Sequence, residues 1–197
     1  MRLTVIGFLC ALAGAASAQA VYTGPGGSIP DNGGPGSPFS SSITVSDSYA
    51  ITDLQLNIND FTHTFVGDLI ITLSHGATSL TVVDRPGVPE WSSFGWAYNL
   101  NGNYTFSDDA SVDWDNILGG VQDTNFNIPS GSYLPENPLS AFDGSNVNGL
   151  WTLTISDNAG ADLGAVGSWG LTVRSVPTPA SIGLLGAAGL IAARRRR

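Results

Sequence analysis

The side chains with chemistry to offer are few. This chain of 197 residues has two histidines, His63 and His75, a single cysteine, and sixteen Asp and Glu residues. No HExxH pair occurs, so a zinc site lacks a ligand set. Asp113 and Asp115 share a face if Val112 to Asn116 is extended, and Asp108 and Asp109 are adjacent. Paired carboxylates do acid/base work on glycosides only at a set separation across a cleft, and these read as parts of an acidic loop. Calcium is the ligand these acids suit best. Asp157 and Asp162 lie in a segment rich in Asp, Asn and Gly, and Asp68 follows Gly67 at the head of an apolar run. Carboxylates and loop carbonyls together can surround such a hard cation. The spacing is not that of an EF-hand, because Ser168 stands twelfth from Asp157 where a bidentate Glu is required. The competing reading has Asp157 and Asp68 capping their own turns through loop amides.

Strands must position these carboxylates. Trp151, Leu153 and Ile155 alternate with Thr152, Thr154 and Ser156, and Trp169, Leu171 and Val173 repeat the pattern after the acidic loop. A period of two puts one face in a core and the other in water. Earlier runs behave alike: Ile43 and Val45; Leu54, Leu56 and Ile58; Leu69, Ile71 and Leu73; Leu80 and Val82. Turn residues separate them at Asp47-Ser48, Asn59-Asp60 and Gly76-Ala77, and no long segment shows a helical period. The pattern predicts an all-β fold, a jelly-roll-like β-sandwich. Residues 85 to 139 carry Trp91, Trp96, Tyr98, Tyr104, Trp114 and Tyr133 among many Gly, Asn and Asp, and read as long loops over the edge of the sandwich.

Four blocks, in order, carry a family resemblance. They are IPDNGGPGS from Ile29, HTFVGDLIITLSH from His63, FSDDAS from Phe106, and YLPENPLSAFDGSNVNGLW from Tyr133. With the closing WTLTISDNAGADLGAVGSWGLTV, they resemble the P domain, or Homo B domain, that follows the subtilisin-like catalytic domain in kexin and furin relatives. The resemblance covers about Ser28 to Arg174 and implies a β-sandwich that accompanies and stabilises a serine endopeptidase. Ser74-His75-Gly76-Ala77-Thr78 stands where the family usually has a Ser-Pro-x-Gly-Thr turn. His75-Gly76-Ala77-Thr78-Ser79 is superficially similar to pieces of subtilisin motifs, but a triad needs a separate α/β domain supplying Asp, His and Ser. No GxSxG elbow occurs either. The expectation is a protein without catalytic residues of its own.

The chain divides into four segments. Residues 1–18 have an early Arg2, an apolar run and Ala16-Ser17-Ala18, the make-up of a secretory signal peptide. Cys10 lies inside it, so the mature chain would hold no thiol. Residues 19–40, crowded with Gly, Pro and Ser, read as a flexible lead-in, and 41–174 as the sandwich. Residues 175–197 combine Val176-Pro177-Thr178-Pro179, an apolar run too short for a stable span, and Arg194 to Arg197. This resembles a PEP-CTERM sorting tail, with Thr178 in place of the glutamate. The whole predicts a secreted or cell-envelope protein, held briefly at the inner membrane through the tail alone.

Without these ends, Arg85 and Arg174 face all sixteen acids, a net charge of −14, and there is no lysine. Such a surface attracts cations and excludes nucleic acid. The partners expected are a protein or a protease, or a polysaccharide stacked on Trp91, Trp96 or Trp114.

Overall fold

The structure, a computed structural model, describes residues 18–117, 121 and 125–176. The segments expected to be a signal peptide, short of Ala18, and a sorting tail, beyond Val176, lie outside the described residues. Alternating apolar side chains place ten strands in two sheets among the described residues. They are β1 (Ala18–Ile29), β2 (Phe39–Val45), β3 (Asp53–His63), β4 (Leu69–His75), β5 (Thr78–Asp84), β6 (Asn99–Phe106), β7 (Asn127–Ile128), β8 (Gly131–Tyr133), β9 (Gly149–Asp157) and β10 (Gly164–Ser175). One sheet runs β1-β10-β3-β6-β7 with β8 also on β6, and the other runs β2-β9-β4-β5. Helical turns among the described residues are short 3-10 segments only.

Inward side chains of the two sheets meet in one core. Leu54, Leu56 and Ile58 come from β3, Leu69, Ile71 and Leu73 from β4, and Trp151, Leu153 and Ile155 from β9, all buried. Each such side chain contributes about 2 kcal/mol on removal from water. Outward positions are mostly uncharged. Thr105 donates to Asn57 at 2.9 Å and Asn57 to Thr172 at 3.0 Å on one sheet, while Ser42 meets Thr152 at 3.0 Å on the other. Such cross-strand pairs fix register without charge repulsion.

The two tryptophan strands do not pair with each other. β9 lies between β2 and β4, β10 lies between β1 and β3, and both indoles are fully buried. Trp151 donates to the Val147 carbonyl at 2.9 Å, and Trp169 to Ser41 Oγ at 2.8 Å. The loop at 158–163 therefore carries the chain from one sheet to the other.

Three expectations change. Residues 19–40 are not a flexible lead-in, because most of their first half is β1 beside β10. A Cβ on Gly24 would strike the Trp169 ring, and one on Gly26 the Val166 carbonyl. Glycine here serves close approach rather than mobility. Asn59-Asp60 is not a turn but a bulge inside β3, where the register on β6 slips between Ile58 and Phe61. Asp60 takes φ +48° there, and its amide is held by Asn103 Oδ1 at 2.8 Å. The middle segment, read as loops, contains β6, a strand beside β3 whose Leu100, Tyr104 and Phe106 point inward.

Candidate functional site

The end of the sandwich where β3, β9 and the start of β4 meet gathers the ionisable groups. After β3 the chain makes a 3-10 turn at Val66–Asp68 and enters β4, whose Leu69 pairs with Asp157. Gly67 permits the turn to press on the 94–96 backbone, where its amide donates to the Trp96 carbonyl at 3.0 Å. Asp68 and Asp157 thus arrive side by side, 2% and 1% exposed. His63, the last residue of β3, reaches across from the other sheet and places Nε2 3.3 Å from Asp157 Oδ2. Gly164 opposite His63 has no room for a Cβ, which would strike the imidazole.

The bonds around His63 define its role. The Phe65 amide donates to Nδ1 at 3.1 Å, so Nδ1 is the acceptor and Nε2 carries the proton shared with Asp157. This has two members of a hydrolytic triad, but neither nitrogen faces a hydroxyl. His75 is also committed. It stacks on Trp151 with centroids 4.0 Å apart, and its nitrogens lie 3.1 Å from the Leu150 carbonyl and 2.8 Å from that of Asn146.

Asp68 is the electrostatic centre. Burial, then the charges of Asp157 and Asp162, push its carboxyl up to about 6, against the opposing pull of Arg85. The guanidinium stands 4.0 Å away and is held by the Gly67 carbonyl at 3.1 Å. Arg85 was not singled out by sequence, although it is one of only two basic residues in the body, and its φ of +43° marks an unusual placement. Asp31 was missed as well. Its carboxylate accepts from the Ala161 amide at 3.1 Å and adds to the negative field on Asp68.

The three aspartates assigned to calcium therefore share one end of the fold, and two of them already accept hydrogen bonds. Asp157 Oδ1 accepts from the Ala159 amide at 3.1 Å, and Asp162 Oδ1 from Thr64 Oγ1 at 2.6 Å. Asp68 instead faces the Arg85 guanidinium as its counterion at 4.0 Å. Among the described residues no three His, Cys, Asp or Glu side chains form a group able to hold a metal ion. As they stand, the residues do not fit a calcium cage.

The other acids are explained by local bonds. Asp108 accepts from the amides of Leu139 and Ser140, both at 2.8 Å, and Asp113 from that of Asp115 at 2.9 Å. Asp115 in turn accepts from Gly87 at 2.7 Å. The three tryptophans named as a possible sugar platform differ in exposure. Trp96 and Trp114 are 6% and 4% exposed, and Trp91 alone of the three reaches solvent.

Comparison with known proteins gives one family. The sequence profile described as proprotein convertase P-domain matches residues 51–173, more than half of the chain. No curated protein matches. Among solved structures, a chain of the Aeromonas sobria serine protease complex with the ORF2 chaperone aligns at 16% identity and a TM-score of 0.49, over 83% of this chain and 28% of that one. The Aeromonas sobria serine protease by itself aligns at 16% and 0.49, over 81% and 27%. This chain thus spans under a third of those proteins.

Proposed function

The chain belongs to the proprotein convertase P-domain family, and from that premise we propose that it acts as a stand-alone accessory module, docking on a subtilisin-type protease or another secreted protein. The P domain is a non-catalytic accessory domain of subtilisin-like proteases. The observation that carries the proposal is the family match over the sandwich. The fully committed ring nitrogens of both histidines agree with it. A sandwich of this kind stabilises a partner by burying part of its surface, and it needs no reacting group. Secretion, and brief retention at the inner membrane through residues 175–197, belong to the same proposal. Calcium is not required for the role. For it to bind, Asp162 would have to leave Thr64, and Asp157 leave Ala159, to join Asp68.

Mixing the purified chain with a secreted subtilisin-type protease from the same cells, and following thermal inactivation of the protease, tests the reading. The expected result is a longer half-life and co-elution in gel filtration. An unchanged half-life with separate elution sinks it, as does peptide cleavage by the chain alone.

A further inference from the structure

The loop from Pro86 to Gly95 holds two rings in solvent, Trp91 at 49% and Phe94 at 66% exposure, while the other four indoles are buried. Trp91 stacks on Trp96 with centroids 5.0 Å apart, and Trp96 Nε1 donates to the Asp115 carbonyl at 2.9 Å. Through these contacts the exposed ring is fixed to the wall of a cleft of about 230 Å³, whose lining includes Asp84, Asp113, Trp114, Asp115 and Glu136. Glu90, on the same loop, adds its charge to the field at Asp115 and Glu136. Arg85 is next in sequence, but its guanidinium is turned to Asp68 and the Gly67 carbonyl. The cleft thus concentrates carboxylates with no cation among them. No three of them form a group able to hold a metal ion. Trp114, 4% exposed and part of the cleft lining, has an indole N–H without a hydrogen-bond partner.

Resting on the reading of the chain as a partner-binding module, we propose that this cleft and the Trp91–Phe94 loop form its docking surface for a basic segment of the partner protein, with an arginine side chain entering among Asp113, Asp115 and Glu136. A planar guanidinium can pair with several carboxylates at once and also lie on an indole face. Apolar residues of the docked segment cover Phe94.

The probe is the blocked peptide acetyl-Gly-Arg-Leu-Arg-Gly-amide, titrated into the full chain by calorimetry and tryptophan fluorescence, with a citrulline version as the neutral control. Expected are binding by the arginine peptide alone, weakening of about tenfold or more in D113N/E136Q, and a smaller loss in Trp91→Ala. Asp113, Glu136 and Trp91 are exposed, and circular dichroism checks that the variants fold. The inference is overturned if the two peptides bind alike, if no binding appears at millimolar peptide, or if the variants bind as wild type does. A protease stabilised equally by wild type and by D113N/E136Q would also overturn the cleft, while leaving the accessory role intact.

Discussion

At the scale of single residues, the chemistry of this chain is spent on holding itself together. Asp157, itself buried, accepts from the buried His63 and from the Ala159 amide. Asp157→Ala strands both donors, and a loss of about 2–4 kcal/mol is expected. A lower urea midpoint at unchanged slope would register it. Asp68 gives the pH dependence. Its folded pKa, near 6, lies above the ordinary carboxylate value, so the folded state binds the proton more tightly. The resulting stabilisation is full below the unfolded value and is lost as pH rises through about 6. Burial shifts Asp115, Glu136 and Asp143 upward too. The melting temperature should therefore rise as pH falls from about 7.5 to about 5, and Asp68→Asn should flatten that rise. A melting temperature that falls over this window contradicts the assignment. The sequence grouped Asp68, Asp157 and Asp162 as possible calcium ligands, and the fold sets them at one end. The sequence could not show that Thr64 and Arg85 face Asp162 and Asp68, because those partners come from segments joined only by the fold, whereas the Ala159 amide lies in the loop of Asp157 itself, as the capping reading has it.

At the scale of elements, the strands with plain alternation were legible, since a period of two leaves one physical solution once a core exists. β1 was not. Tyr22, Gly24, Gly26 and Ile29 lack a continuous apolar face, and their glycines look like looseness until Trp169 and the Val166 carbonyl are set against them. β6 was hidden by Asn99, Asn101 and Asn103 between its inward residues, although Leu100, Tyr104 and Phe106 keep the period. The loops beyond it are pinned by the same rings. Tyr104 Oη donates to the Ile128 carbonyl at 2.9 Å and Tyr133 Oη to that of Pro129 at 2.7 Å. The reassigned β1 is open to direct test. Gly26→Val would lift the strand from β10, costing about 3 kcal/mol, with red-shifted tryptophan emission as Trp169 meets water. A freely moving leader would tolerate the change without either effect.

At the scale of the molecule, the field of the whole chain matters more than any one pair. The body carries two arginines against sixteen acids, and the arginines face Asp68 and Asp53 at 4.0 and 3.3 Å. The remaining carboxylates repel one another wherever they crowd, as around Glu136, whose raised pKa has four neighbouring acids among its causes after burial. Such repulsion opposes the compact state and is screened over about 10 Å at about 0.1 M salt. Raising sodium chloride from about 10 mM to about 0.5 M should therefore raise the melting temperature by several degrees. Screening acts through ionic strength and does not distinguish one ion from another, whereas a calcium cage responds to calcium at low concentration. Since Asp157 and Asp162 are already bonded to Ala159 and Thr64, calcium chloride should match magnesium chloride at equal ionic strength, and a chelator should leave the melting curve where it was. A calcium-specific rise at micromolar concentration would instead show that the loop after β9 reorganises around Asp68, and the same measurement on Asp162→Asn would identify the ligand that moves.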